Sequence, residues 1–353
     1  MILKLLALLE LILNINEFKN KVKRGKKMKF KSFAKFICIT FCALLSCLVF
    51  SSCSEKKVSQ TEFAMNTVIS ITAYGDKADE AVKASFDEVK RIEKLLSCHI
   101  ADSEISKVNK MAHINPVEVS TETADVLKKA LSVCEKTNGA FDMSTKPLSD
   151  LWNIKAENPK VPADEELKNI LSFVGYENIS LDGNFVSFKK EGLQIDLGGA
   201  AKGYCADRVK DVLKSFGIKN ALIDLGGNIY ALGKNEQGKN WRIGLQKPGG
   251  QRGEYFSIEE LSGKTAVTSG SYERYFEKNG KIYHHIMDRK TGYPADSGLI
   301  SVTVISKNSF EADMLSTAIF VMGEEEFEKI KSEFDFEKYI TVDKYNRERV
   351  YEK

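Results

Sequence analysis

Neither sign of charge is in excess in this sequence. Its 353 residues carry 52 Lys and Arg against 49 Asp and Glu, a net charge of +3 that includes a basic N-terminal segment, which argues against nucleic acid as a partner. Cysteine is sparse where it could organise a fold. Cys38, Cys42, Cys47 and Cys53 cluster near the N-terminus, and Cys98, Cys134 and Cys205 are too widely spaced for a metal finger or a disulfide framework. They read as buried thiols, with one pairing left open. The common phosphate loops are missing too, since no Gly-Lys-Ser/Thr order and no Rossmann glycine spacing occurs at the glycine turns. No internal repeat or long low-complexity tract follows residue 53, so the chain reads as globular.

What is present begins with an export signal. From Met28 come Lys29, Lys31 and Lys35, an apolar run from Phe36 to Phe50, and then Ser51-Ser52-Cys53. The run is short for a membrane span and ends sharply. Small residues before a cysteine resemble a bacterial lipobox, although Phe50 stands where Leu is usual, and the pattern makes Cys53 the diacylated first residue of the mature chain. Initiation at Met28 explains the extra apolar and basic stretch upstream. The reading is therefore a leader over 1–52, a lipidated Cys53 with a polar tether over 53–62, and a folded domain over 63–353. Export would leave the protein anchored on the outer face of the cytoplasmic membrane.

Periodicity supplies the first elements. Phe63 to Tyr74 alternates like a strand, Ala78 to Leu96 is an amphipathic helix, and Thr121 to Thr137 is another, with Ser120 or Thr121 as its cap. Asp102 and Ser103 suit the N-cap of a short helix. Asn138-Gly139 closes the second long helix, and Lys155 to Glu166, with Pro159 and Pro162, reads as a surface connection.

The most informative stretch is Ile195 to Asp207, which reads as a strand end, the turn Gly198-Gly199 and a helix running to Phe216. A helix start there presents free N–H groups and a positive dipole end to an anion, and Lys202 adds charge. Close packing alone would also account for such glycines. The motif has company, however: a second glycine turn at Asp224-Leu225-Gly226-Gly227-Asn228, then Thr268-Ser269-Gly270-Ser271, Tyr283-His284-His285-Ile286-Met287-Asp288, and Asp313 to Ala318. Asp313 and Thr317 stand four apart, so on a helix their oxygens can converge on one hard cation, with Ser316 beside them.

In that order these motifs resemble the flavin transferases of the FAD:protein FMN transferase (ApbE) type, and the resemblance runs from Phe63 to about Lys329. It implies an α+β fold of mixed sheets and helices in two associated lobes with the FAD groove between them. It places Met65, His99, Ala140, Phe141, Asp142, Asp196, Lys202 and Ile286 at the FAD. Asn66 stands where the family often has Gly, and His99 where it usually has a stacking aromatic. The resemblance also makes the Gly199 carbonyl, Asp313 and Thr317 the ligands of Mg²⁺, and gives the base role to His285 or Asp288, His285 being preferred. The implied reaction moves FMN from FAD to a Thr or Ser hydroxyl of an acceptor flavoprotein of the electron-transport subunit type and releases AMP. FAD pyrophosphatase activity, with water as nucleophile, uses the same site. A non-catalytic flavin-binding lipoprotein would use the groove without a working metal pair.

Cys53→Ser is expected to release the protein from the membrane or block its processing. Membrane fractionation and the mass of the mature N-terminus check this; unchanged attachment with an unmodified residue 53 rules out lipidation there.

Overall fold

The computed structural model describes residues 56–251 and 253–353. The leader over 1–52 and Cys53 lie outside them. In chain order the elements are β1 (Lys57–Ala64), β2 (Thr67–Tyr74), α1 (Ala78–Leu96), α2 (Glu104–Met111), β3 (Val117–Glu118), α3 (Thr121–Lys136), α4 (Lys146–Trp152) and α5 (Asp164–Leu171). Next come β4 (Ile179–Asp182), β5 (Phe185–Phe188), α6 (Ala201–Ser215), β6 (Asn220–Asp224), β7 (Asn228–Leu232), β8 (Trp241–Gln246), β9 (Tyr255–Leu261) and β10 (Lys264–Gly270). The chain ends with β11 (Tyr275–Lys278), β12 (Lys281–His284), β13 (Leu299–Ser306), α7 (Ser309–Met322), α8 (Glu324–Ile330), β14 (Lys338–Asp343) and β15 (Glu348–Glu352). Among the described residues no helix is long and apolar enough to cross a membrane.

An eight-stranded antiparallel sheet, β1-β2-β6-β7-β10-β13-β14-β15, forms the frame. Strand side chains alternate between faces, and the cores follow that alternation. Tyr230, Leu232, Val267, Val302 and Val304 join the large core under α1, α6 and α7. Their neighbours Ala231, Ala266 and Ile305 join a second cluster with Ile243 and Leu261 of the β8–β9 hairpin. A third cluster, around Leu148, Trp152, Leu167 and Met287, fastens α4 and α5 to the segment after β12. Trp152 Nε1 donates to the Gly292 carbonyl at 2.8 Å within it. The mixed α+β architecture is as expected. The division into two lobes is not drawn, because Glu55–Lys353 forms one compact unit.

Local sequence accounts for most element ends. Ser120 Oγ accepts from the Thr123 amide at 3.2 Å and starts α3, while Ser103 Oγ accepts from the Ser106 amide at 2.9 Å and starts α2. Two expectations need correction. Phe63 to Tyr74 is a hairpin rather than one strand, turning at Met65 (φ 50°) and Asn66 (φ 61°). Alternation hid the turn because the strands resume the same apolar rhythm on both sides. The run ending at Leu197 joins no sheet. The Asn109 side chain takes the place of a neighbouring strand, donating to the Ile195 carbonyl at 2.9 Å and accepting from the Ile195 amide at 2.7 Å.

Helices α6 and α7 cap each other. The Asp207 carboxylate of α6 accepts from the Ser309 and Phe310 amides in the first turn of α7, at 2.9 and 3.0 Å. In return Asp313 Oδ2 of α7 accepts from the Gly203 amide in the first turn of α6 at 2.8 Å. Each carboxylate meets a positive helix end and satisfies amides with no partner inside their own helix. The backbones are so close that a Cβ on Gly203 would stand 2.3 Å from the Ser309 carbonyl oxygen and 2.7 Å from Asp313 Cβ. Backbone cannot yield as a flexible side chain can. Gly203→Ala is therefore expected to push the two helices apart at a cost of about 1–3 kcal/mol. Thermal unfolding checks this, with Gly217→Ala as a variant whose Cβ meets nothing within 4 Å but whose φ is 81°.

Candidate active site

The two glycine turns, the face of α7 and the segment after β12 enclose a groove of about 840 Å³. Its lining includes His99, Ala140, Phe141, Asp142, Asp196, Gly199, Lys202, His285, Ile286, Asp313 and Thr317. Eleven of the thirteen residues assigned to the FAD, the metal or the chemistry therefore meet on one surface. Met65 and Asp288 do not line it. Met65 sits in the hairpin turn, packs partly against the large core and donates its amide to Glu93 at 2.7 Å, while its neighbours Asn66 and Thr67 reach the groove. Asp288 is spent on its own turn: its carboxylate accepts from the Lys290 amide at 2.8 Å and its amide donates to the Tyr293 carbonyl at 2.9 Å.

The glycine turn brings the backbone against α7. A Cβ on Gly199 would lie 3.4 Å from Thr317 Oγ1 and 3.4 Å from the Phe141 ring, so this stretch of main chain adjoins the Thr317 hydroxyl. Asp313, one helical turn before Thr317, is only 4% exposed. Burial pushes its carboxyl up, and the nearby Lys202 charge and the Gly203 amide oppose that rise. Ser269 at the end of β10 completes a hydroxyl cluster, with Oγ 2.8 Å from Ser316 Oγ and 3.3 Å from Thr317 Oγ1. These are hard oxygen donors, which suits a small divalent cation.

The helix N-terminus is less open than the sequence suggests. Amides of Ala200 and Ala201 return to the Leu197 carbonyl at 2.9 and 2.7 Å, and that of Gly203 goes to Asp313. Positive charge at this end of the groove therefore rests on Lys202, whose Nζ lies 3.1 Å from the Gly198 carbonyl oxygen. Asp196 shapes the turn from its other side, accepting from the Gly198 amide at 2.8 Å.

His285 faces the groove with its chemistry preset. Its Nδ1 lies 3.3 Å from the Arg274 carbonyl oxygen, which can only accept, so the hydrogen belongs on Nδ1 and the lone pair on Nε2. Burial, then the Arg274 guanidinium and the neighbouring His284, push its pKa down to about 3. His284 is buried, lies 3.0 Å from the Ala295 carbonyl oxygen through Nε2 and accepts from the Ile286 amide at 3.3 Å, which fixes the backbone between them.

Asp142 borders the groove while its carboxylate works elsewhere. It accepts from the Ser144 and Tyr176 amides at 2.8 and 3.1 Å and lies 3.3 Å from the Arg289 guanidinium, which also bridges to Glu177 at 2.8 Å. Burial raises its carboxyl, against these donors. Arg289, Arg274 and Ser269 have roles here that residue order alone did not reveal. Ser269 belongs to the Thr268 to Ser271 motif and Arg289 directly follows the histidine motif; Arg274 acts through a backbone carbonyl, which no side-chain pattern can signal.

Residues 65–340 match the ApbE family. A protein of Klebsiella pneumoniae named FAD:protein FMN transferase is 38% identical over 276 residues, covering 77% of this chain and 85% of that protein. The crystal structure of the ApbE protein from Thermotoga maritima superposes with a TM-score of 0.76 at 34% identity, covering 83% of this chain and 96% of that one. The flavin transferase ApbE from Vibrio cholerae gives a TM-score of 0.76 at 31% identity, over 84% of this chain and 97% of that one.

Asp313→Asn keeps an oxygen for the Gly203 amide and removes a buried charge. Its folded-state pKa lies above the unfolded value, so Asp313 costs stability above the ordinary carboxylate range and costs nothing once both states are protonated. In metal-free buffer at neutral pH the variant is expected to melt higher, by roughly 2–4 °C for each kcal/mol recovered. The gain should shrink as pH falls through the raised folded pKa towards about 4 and be gone below it. Calorimetric melting across that pH range checks both parts.

Proposed function

This chain belongs to the ApbE family, and from that premise we propose that it transfers FMN from FAD to a Thr or Ser hydroxyl of an acceptor flavoprotein. The observation that carries the reading is the convergence of His285, Lys202, Asp313 and Thr317 on one groove. The acceptor oxygen attacks the FMN-side phosphorus, the P–O bond to the AMP half breaks, and AMP leaves. Neutral His285 takes the hydroxyl proton at Nε2, its ring held by the Arg274 carbonyl. Lys202 lines the groove, where its charge would meet the negative diphosphate, and Phe141 and Ile286 supply apolar wall. Asp142 acts by organising its loop rather than by touching the ligand.

We assign the metal to Mg²⁺, held by the Gly199 carbonyl, Asp313 and Thr317, whose oxygen-only donor set fits a hard cation. When bound, it would neutralise charge that develops on the diphosphate. The acceptor is assigned to an exported electron-transport subunit, and the protein to the outer face of the cytoplasmic membrane through lipidated Cys53, on the strength of the leader sequence. Transfer is favoured over hydrolysis because positioning an acceptor hydroxyl can outweigh the concentration of water.

Incubated with FAD, Mg²⁺ and a candidate acceptor, the protein should add the mass of FMN to the acceptor at one Thr or Ser and release AMP in step. His285→Ala should slow this by about 10²–10⁴-fold while changing FAD affinity far less. Because His285 is already neutral well below pH 5, its ionisation should produce no loss of rate between pH 8 and 5. Equal AMP release with and without acceptor, and no labelling of any acceptor, would move the assignment to FAD hydrolase.

A further inference from the structure

At the rim of the groove, Cys98 stands beside His99 and Asp196, two residues of its lining. Cys98 Sγ, a ring nitrogen of His99 and a carboxylate oxygen of Asp196 all lie within 4.8 Å of one another. Both segments that carry them are braced. The Asp196 amide donates to the Met143 carbonyl at 2.8 Å, Asn109 clamps Ile195 from both sides, and the Gly198 amide orients the carboxylate. Cys98 and His99 follow α1 directly, in a turn where Ser97 Oγ accepts from the His99 amide at 3.1 Å and the Ser97 carbonyl accepts from Ser103 Oγ at 2.5 Å.

Thiolate, imidazole and carboxylate make three protein ligands with a fourth position left for water, the donor set of a zinc-type ion. Mg²⁺ is poorly served here, since it demands octahedral oxygen. The all-oxygen cluster at Asp313 and Thr317 has the opposite preference. Two donor sets of opposite preference therefore adjoin one groove, His99 and Asp196 lining it together with Gly199, Asp313 and Thr317.

We propose that Cys98, His99 and Asp196 bind a zinc-class divalent ion, and that its binding displaces FAD from the rim. On binding, the Cys98 thiol gives its proton to solvent, and sulfur, nitrogen and oxygen each donate an electron pair to the ion. The ion engages His99 and Asp196, which line the groove proposed to hold FAD; displacement rests on that proposed function, whereas the ion site does not. Cys134 and Cys205 are fully buried and cannot substitute for Cys98.

The test uses the full chain in excess Mg²⁺, titrated with Zn²⁺ and, in parallel, with Co²⁺ for its thiolate charge-transfer absorption. The wild type should bind one Zn²⁺ more than Cys98→Ser does and show a cobalt–thiolate band that Cys98→Ser lacks. His99→Ala should weaken Zn²⁺ by at least about tenfold, since even outer-sphere changes cost that much. Asp313→Asn should leave the band intact. Equal Zn²⁺ stoichiometry and an equal cobalt band in wild type and Cys98→Ser overturn the site. Flavin fluorescence then reads FAD affinity: Zn²⁺ should weaken it in the wild type and not in Cys98→Ser, and unchanged FAD affinity with the cobalt band present overturns displacement. Failure to bind FAD in Mg²⁺ alone counts against the function proposed for the groove and leaves the ion site standing.

Discussion

The reciprocal capping of α6 and α7 is the constraint on which the groove depends. Asp207 closes the start of α7 and Asp313 closes the start of α6, across a contact that tolerates no Cβ at residue 203. The same approach sets Gly199 beside Thr317 and brings Lys202 near Asp313. One helix pair thus fixes a main-chain turn, a hydroxyl, a carboxylate and an ammonium group relative to one another. The sheet contributes by holding α7 on β10 and β13, so that Ser269 reaches the same cluster.

Asp313 is costly in the fold and useful in the site. Burial opposes its charge, a single backbone amide hydrogen-bonds it in this structure, and a cation in the groove would relieve the cost. Natural proteins commonly retain such strain where function needs it. His285 shows the complementary case. Surroundings that oppose a positive ring keep it neutral, and neutrality is what a proton acceptor requires.

Much of this was legible from residue order. Helices α1 and α3 follow from apolar periodicity, Ser103 and Ser120 from capping preference, and the meeting of Asp313 with Thr317 from helical spacing. What escaped was whatever depends on partners distant in sequence. Asn109 supports Ile195 from 86 positions away, so an apolar run that reads as a strand belongs to no sheet. Asp142 followed Phe141 as the resemblance requires, yet its partner is Arg289, and nothing local pairs those two. Met65 lies off the groove lining for a different reason: it sits in a turn whose one compositional mark, Asn66, was masked by the alternation on both sides.

The β1–β2 hairpin has a mechanical consequence. The described chain enters at Lys56, whose carbonyl accepts from the Gly75 amide, and β1 then runs eight residues to the turn whose Asn66 borders the groove. At about 3.3 Å per residue, that strand is a spacer of roughly 26 Å between entry point and reaction site. Whatever holds the preceding segment sets where the molecule can go, while the stiffness of a paired strand sets how far from that attachment chemistry takes place. From Lys57 on, the segment read as a polar tether over 53–62 is this paired strand, so residues inserted before Lys56 would leave the stand-off unchanged.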